Sequence, residues 1–130
     1  MIPQSIFKAY DIRGKYPDAI NEENVKKIVG GLQKFFKKGK VVVARDARLS
    51  SPRLYAAAIA GLKKFKGIKI ISIGVSTTPM LYFFVNYFRA SGGIMITASH
   101  NPGEYNGLKV VGAAAVPISG EDIKKSVIGQ

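Results

Sequence analysis

One short loop of the sequence gathers most of the side chains that could carry covalent chemistry. It contains Ser99, the single histidine His100 and the amide Asn101, and Lys109 follows soon after. A serine hydroxyl reacts poorly by itself, but beside basic and hydrogen-bonding groups it can carry a transferable group. The Asn-Pro-Gly stretch that begins at Asn101 is also a common turn sequence. The residues alone therefore leave two interpretations, a site of covalent group transfer and a plain turn between two strands.

The segments around this loop predict alternating strands and helices. Val/Ile-rich runs predict strands at 40–44, 68–74, 93–98 and 108–111. Residues 1–20 show no such run before the first helix and are expected to be irregular. Cap residues and prolines predict helix starts at Asn21, Ser51-Pro52, Thr78-Pro79 and Ser119. Gly39 is expected to end the first helix.

This alternation determines the expected fold class. Apolar strands connected by helices are typical of parallel sheets that are covered on both faces. Residues 99–107 are too few for a helical crossover, so the last two strands should pair antiparallel. We therefore predict an α/β fold, a three-layer α/β/α sandwich with a mixed four-stranded sheet, built by residues 1–130 as one domain.

The composition excludes several classes of protein. A chain of 130 residues with 47% hydrophobic content can build a core. No apolar run approaches the roughly 20 residues of a membrane span, and no secretory signal is evident. There are no cysteines, which excludes disulfides and thiolate metal sites and fits a cytosolic protein. We expect a cytoplasmic protein with no membrane partner.

The strong positive charge restricts the partners. A net charge of +12 attracts anions such as nucleic acids, anionic lipids or phosphorylated metabolites. Most of the lysines fall on the predicted helices, where a solvated helix face explains them. No continuous basic block with interleaved aromatic residues occurs, so we do not expect a nucleic acid partner.

Four motifs occur in the order and spacing of a known family. The most specific is the loop, Thr97 to Pro102 followed by Tyr105 to Lys109. The others are FKAYDIRG at 7–14, VARDARLSS at 43–51 and GVSTTP at 74–79. Together they resemble the α-D-phosphohexomutases, and among these the phosphomannomutase/phosphoglucomutase group. The resemblance covers about residues 5–112.

The resemblance implies a function and a mechanism. The domain would belong to an enzyme that interconverts the 1-phosphates and 6-phosphates of mannose or glucose. Ser99 would be carried as phosphoserine and would pass its phosphoryl group to a hexose monophosphate. The bisphosphorylated sugar would then return its other phosphate to Ser99. Hexose 1,6-bisphosphate would act as activator, and Mg²⁺ would bind Ser99 only through its phosphate oxygens.

The resemblance also implies roles for single residues. Lys109 would be a general acid or base near the reacting hydroxyl, and His100 would orient the phosphoserine by hydrogen bonds. Substrate contacts would come from Tyr10, Arg13 and Asn101.

A further polar group lies in the second motif. Arg45, Asp46, Arg48 and Ser50 are interpreted as a network that fixes the loop of Ser99. A structural salt-bridge cluster explains them about as well as any direct contact does.

The chain resembles only the first of the four domains of these enzymes. It contains no Asp-Gly-Asp run for Mg²⁺ and none of the later sugar-binding loops. We therefore expect an excised or truncated N-terminal domain, or one piece of a split enzyme, inactive alone. Its partners would be the phosphosugar and the remaining domains, which would supply the main Mg²⁺ ligands. A phosphoglucosamine mutase domain and a non-catalytic basic interaction module are the alternatives.

Overall fold

A mixed β-sheet forms the centre of the structure, which is a computed structural model describing residues 1–128. Its strands are β1 (Ile12–Lys15), β2 (Gly39–Arg45), β3 (Ile68–Val75), β4 (Gly92–Ile96) and β5 (Tyr105–Gly112). The strand order is β1-β5-β4-β2-β3. Strand β2 runs parallel to β3 and β4, whereas β5 runs antiparallel to β4 and β1. The predicted antiparallel pairing of the last two strands is confirmed.

The prediction of four strands is wrong, because β1 adds a fifth at one edge of the sheet. Ile12 pairs with Leu108 and Lys15 with Tyr105. The short β1 sequence, IRGK, contains a single apolar side chain and therefore lacks the pattern of a buried strand. Its hydrogen-bond partners come from the first half of β5, which begins before the predicted start at residue 108. Such a strand forms because the neighbouring strand β5 supplies its hydrogen-bond partners.

Four helices cover the two faces of the sheet. They are α1 (Glu22–Gly30), α2 (Ser51–Leu62), α3 (Thr78–Tyr87) and α4 (Gly120–Val127). Alternate residues of β2 point to opposite faces. Val41 and Val43 join the core that includes residues of α1, α2 and α4, while Val42 and Ala44 join a smaller core with α3. The predicted placement of helices on both faces is confirmed. No helix among residues 1–128 is long and apolar enough to cross a bilayer.

Two of the predicted helix caps are confirmed. The Asn21 side chain accepts a hydrogen bond from the backbone N–H of Asn24 at 2.8 Å. The Ser119 hydroxyl accepts one from the N–H of Asp122 at 3.1 Å.

Three predicted helix boundaries need correction. The cap of α3 is Thr77 rather than Thr78, since the Thr77 hydroxyl accepts from the N–H of Met80. Ser51 is the first residue of α2 rather than its cap, because its hydroxyl donates to Asp46. Helix α1 ends at Gly30, where a 3₁₀ turn follows, and Gly39 begins β2 instead of ending the helix.

The close approach of β1 to β5 depends on the absence of a side chain at Gly107. A Cβ on this residue would lie 1.8 Å from the carbonyl oxygen of Ile12 and 3.0 Å from the Cα of Arg13. Both contacts are with backbone, which cannot move aside without breaking the pairing of the two strands.

Gly107→Ala is therefore expected to destabilise the domain by about 3 kcal/mol, as for an overpacked site, and to lower the melting temperature by roughly 10 °C. Thermal denaturation followed by circular dichroism measures the effect. Gly30→Ala is the matched control, because a Cβ there meets nothing within 4 Å. It should be neutral or stabilising by up to about 1 kcal/mol, since alanine favours helix over glycine. Equal melting temperatures of Gly107→Ala and the parent would contradict the prediction.

Candidate functional site

Ser99 lies at the edge of the sheet where β2 and β4 end. The serine loop, defined here as residues 97–104, connects β4 to β5. Ligands of open α/β sheets bind at this edge, outside the carboxyl ends of the strands. The half-buried Ser99 has a φ of +56°, in the left-handed region that non-glycine residues seldom adopt. Such backbone strain clusters at functional sites and persists only where the surroundings enforce it.

The Arg48 guanidinium holds the serine loop in this conformation. Its Nη2 donates to the carbonyl oxygens of Ser99 at 2.9 Å and Asn101 at 2.8 Å. Its Nη1 donates to those of Pro102 at 2.6 Å and Tyr105 at 3.1 Å. The Arg48 side chain is only 14% exposed. One side chain therefore ties four backbone carbonyls of the loop and its exit to the start of α2.

Asp46 orients Arg48 in turn. Its Oδ2 accepts from Arg48 Nε at 3.1 Å, and its Oδ1 accepts from the Arg48 N–H at 3.1 Å and from the Ser51 hydroxyl. Arg45 instead donates to the Asp46 carbonyl and lies over the Tyr55 ring. The interpretation of the second motif as a network fixing the loop thus holds for Asp46 and Arg48.

A buried amide completes the network from the side of β5. Asn106 Nδ2 donates to Ser50 Oγ at 2.7 Å and to Ser51 Oγ at 3.0 Å. Sequence reasoning included Ser50 but missed Ser51 and Asn106 as members. Asn106 is fully buried, and its position inside the loop motif was the signal that could have found it.

Arg13 reaches the serine loop from β1. Its Nη1 donates to Asn101 Oδ1 at 2.6 Å, across 88 positions of sequence. Its Nε pairs with Asp11 Oδ1 at 2.9 Å, and Asp11 is buried. Two of the three residues predicted to contact substrate, Arg13 and Asn101, are thus joined to each other. Asp11, which sequence reasoning did not select, orients the arginine.

A cleft of about 300 Å³ gathers the remaining predicted site residues. It is lined by Lys8, Ala9, Tyr10, Asp11, Arg13, Ser99, His100 and Lys109. Leu108 and Ile12 join the larger core, so the alternation of side chains along β5 and β1 places Lys109 and Arg13 on the opposite face. Tyr10 and His100 are exposed at the surface. The structure therefore brings Tyr10, Arg13, Ser99, His100 and Lys109 to one cleft, with Asn101 attached through Arg13.

The electrostatics of the cleft suit an anion. Three cationic side chains, Lys8, Arg13 and Lys109, face a single carboxylate, Asp11. The Asp11 carboxylate is paired with Arg13, so the remaining charge of the cleft is positive. A serine hydroxyl beside cationic side chains can accept and pass on a phosphoryl group, because the cations stabilise the charge of the transferring oxygens.

The cleft does not hold a set of ligands for a metal ion. No group of three or more His, Cys, Asp or Glu side chains with metal-binding geometry occurs among residues 1–128. Mg²⁺ is bound through carboxylates together with phosphate oxygens, and the single carboxylate of the cleft is already paired. The residues of this chain therefore do not fit a Mg²⁺ site by themselves.

The chain is similar to known proteins over almost its whole length. A sequence model of the family described as phosphoglucomutase/phosphomannomutase, alpha/beta/alpha domain I, matches residues 4–127. A relative from Xanthomonas campestris pv. campestris, named for phosphohexose mutases, is 46% identical over 115 residues, which are 88% of this chain and 25% of the relative. A phosphomannomutase of Klebsiella pneumoniae is 43% identical over 121 residues, or 93% of this chain and 76% of the relative.

A solved structure agrees with the fold. The crystal structure of a phosphoglucomutase/phosphomannomutase family protein from Burkholderia thailandensis superposes with a TM-score of 0.83 at 36% identity. The match covers 97% of this chain and 30% of that protein. The chain thus spans about a quarter of the length of the X. campestris relative and under a third of this structure.

Proposed function

The chain belongs to the phosphoglucomutase/phosphomannomutase family as its α/β/α domain I, and we propose that it supplies the phosphoserine of a hexose-phosphate mutase. The observation that carries the proposal is the cleft in which Ser99 lies among Lys8, Arg13 and Lys109. A hydroxyl among cations, on a loop held in a strained conformation, is suited to carry a phosphoryl group rather than to close a turn.

The substrate class follows from the charge and from the free donors of the cleft. A hexose phosphate brings one dianionic group, and phosphoserine adds nearly two further negative charges. Arg13 uses Nε and Nη1 for Asp11 and Asn101, and no contact among the described residues uses its Nη2. The Nη2 group is left to donate to a phosphate or sugar oxygen. The exposed Tyr10 ring at the rim can contact the sugar.

The proposed reaction transfers one phosphoryl group at a time. The bond between phosphorus and Ser99 Oγ breaks while a bond forms to a hydroxyl oxygen of the hexose monophosphate. The proton of that sugar hydroxyl leaves, and the released Ser99 oxygen takes up a proton. In this proposal Lys109 exchanges these protons and His100 orients the phosphoserine, which is supported by their presence in the cleft of Ser99. The bisphosphorylated sugar then gives its other phosphate back to Ser99, so charge and atoms balance over the cycle.

The remaining parts of the enzyme are proposed to lie outside this chain. The segment that matches this chain makes up only 25% of the X. campestris relative. Residues of the other domains would hold Mg²⁺ with the phosphoserine oxygens and would choose the sugar. Free hexose 1,6-bisphosphate would restore the phosphate on Ser99 and act as activator. The cytoplasmic location stays a prediction.

A domain exchange tests the proposal. Residues 4–127 of this chain replace the matching segment of the X. campestris relative, and the conversion of glucose 1-phosphate to glucose 6-phosphate is measured with Mg²⁺ and the 1,6-bisphosphate. The chimera is expected to turn over and to carry one phosphate at Ser99 by mass spectrometry. The chain alone should show no turnover, because the sugar and metal sites are incomplete. A folded chimera with neither turnover nor phosphate at Ser99 would contradict the proposal.

A further inference from the structure

Asn106 is a buried amide on the core side of β5. It lies two residues before Leu108, which packs in the larger core, so the alternation along the strand places both side chains on the same face of the sheet. Asn106 is fully buried and is not among the described residues that line the cleft of Ser99. Burial of a polar side chain costs free energy unless its hydrogen bonds are made. The partners of this amide therefore show what it holds in place.

The Asn106 side chain joins β5 to the start of α2. Its Oδ1 accepts from the N–H of Gly107 at 2.9 Å. Its Nδ2 donates to Ser50 Oγ at 2.7 Å and to Ser51 Oγ at 3.0 Å. Both polar atoms of the amide are therefore in use, and both donor bonds lead to one short segment.

The directions of these hydrogen bonds are determined by Asp46. An ionised carboxylate only accepts, so the Ser51 hydroxyl donates its proton to Asp46 Oδ1. The Ser51 oxygen is then left to accept from Asn106, and within an amide only the NH₂ group donates. A carboxylate at position 106 cannot replace this bond.

The hydrogen bonds form a closed network that includes the serine loop. Asp46 Oδ2 accepts from Arg48 Nε at 3.1 Å, and Arg48 Nη1 donates to the carbonyl oxygen of Tyr105 at 3.1 Å. The path thus leaves β5 at Asn106 and returns to it at the adjacent Tyr105. Fully connected polar networks of this kind specify one arrangement of their side chains.

We propose that Asn106 is a positioning residue for Ser99 and acts through Asp46 and Arg48. The inference rests on the proposed function, since a phosphoryl group on Ser99 must meet a sugar hydroxyl at a defined position. Asn106 holds the Ser51 hydroxyl, which in turn holds the Asp46 carboxylate. That carboxylate orients the guanidinium of Arg48, whose Nη2 binds the Ser99 carbonyl at 2.9 Å. A guanidinium that turns away from this orientation releases the backbone of Ser99.

Asn106→Asp removes both donor bonds while it keeps the size of the side chain and an acceptor for Gly107. In the chimera with the X. campestris relative it should lower kcat by roughly 10- to 100-fold, because small displacements of a reacting group cost rate steeply. KM for the sugar phosphate should stay within about twofold, since an interaction that acts only on the reacting group changes kcat. A KM that rises while kcat stays at the parent value would contradict the proposal.

Asn86→Asp is the matched control. It makes the same chemical change at an exposed residue of α3, where Nδ2 donates to the Tyr82 carbonyl at 3.1 Å. It should keep both kcat and KM of the parent chimera.

A double-mutant cycle tests whether Asn106 acts through Arg48. Added to Arg48→Ala, Asn106→Asp should lower kcat by no more than about a further twofold, because the group that it positions is already absent. A residue that acted independently of Arg48 would lower kcat by the same factor in both backgrounds. Full multiplication of the two effects would therefore overturn the proposal, as would an Asn106→Asp enzyme with the kcat of the parent.

Ser51→Ala covers the case in which Asn106→Asp does not fold. It removes only the hydroxyl that joins Asn106 to Asp46, and the backbone N–H of residue 51 still donates to the Arg48 carbonyl at 3.0 Å. Its kcat should fall by roughly tenfold, and again by little in the Arg48→Ala background. Circular dichroism shows whether each variant is folded. A folded Ser51→Ala enzyme with the kcat of the parent would count against the proposal.

Hydrogen exchange in the 130-residue chain separates this inference from the proposed function. The Asn101 N–H donates to the Ala98 carbonyl at 3.1 Å within the serine loop, and the Arg48 Nε–H donates to Asp46. Both protons should exchange roughly tenfold faster in Asn106→Asp than in Asn86→Asp, as measured by NMR, because the loop opens locally. Faster exchange supports the inference even where the parent chimera does not turn over, and then only the proposed function fails. Unchanged exchange of both protons in folded Asn106→Asp and Ser51→Ala would overturn the inference.

Discussion

Replacing Ser99 by alanine should lower mutase turnover by roughly 10³-fold or more in an enzyme that carries this domain, while the fold stays intact. The Ser99 hydroxyl oxygen lines the cleft and can both accept and release the phosphoryl group. The other hydroxyl of the serine loop, that of Thr97, is buried and accepts from the Ser99 N–H. No hydrogen bond among the described residues uses the Ser99 hydroxyl, since Ser99 contributes only its N–H and carbonyl. Alanine also keeps the Cβ, so the strained backbone at this position meets no new contact.

The measurement combines kinetics, mass spectrometry and melting. The Ser99→Ala form of the chimera should carry no phosphate and should melt within a few degrees of the parent. Ser76→Ala is the matched control, because Ser76 follows β3 at the same edge of the sheet and its N–H donates to the Arg45 carbonyl. It should keep near-normal turnover and the phosphate at Ser99. Turnover by Ser99→Ala, or a stable phosphate at another residue, would refute Ser99 as the phosphoryl carrier.

Replacing Arg48 by alanine is expected to impair both stability and turnover, although Arg48 does not line the cleft of Ser99. The change removes four hydrogen bonds to loop carbonyls and leaves Asp46 without its cation. With net hydrogen-bond contributions near 1 kcal/mol each and partial replacement by water, the loss of stability is about 3 kcal/mol. Since the loop then leaves its strained conformation, turnover should fall by roughly 100-fold.

Three comparisons separate this positioning role from a general loss of stability. Arg48→Lys keeps the charge but not the planar fork, so it should recover stability more than turnover. Free guanidinium should restore part of the turnover of Arg48→Ala. Arg53→Ala removes an exposed arginine from the first turn of α2 and should change neither quantity. An Arg48→Ala enzyme with normal turnover would show that the loop keeps its conformation without the guanidinium.

The sequence by itself determined the elements that bury a continuous apolar surface. The run Val41–Ala44 predicts a strand covered on both faces, and its side chains do divide between the two cores. The caps at Asn21 and Ser119 are local interactions within three residues, so the sequence shows them directly. The shortness of the serine loop likewise determined the antiparallel pairing of β4 with β5. Through the resemblance to a family, the opening motif at 7–14 selected Tyr10 and Arg13 of the cleft, and the loop motif selected Ser99, His100 and Lys109.

Only the tertiary structure decided what depends on contacts between distant residues. The four residues of β1 have no strand pattern of their own. They form a strand because β5 supplies hydrogen-bond partners and because Gly107 has no side chain that would block the pairing. Arg48 and Arg13 contact the serine loop from positions roughly 50 and 90 residues away in the sequence. Only the folded structure shows which atoms of the loop they bind. The positive φ of Ser99 is imposed by those contacts. Long-range contacts of this kind have no periodicity in the sequence, because they arise only when separate elements pack.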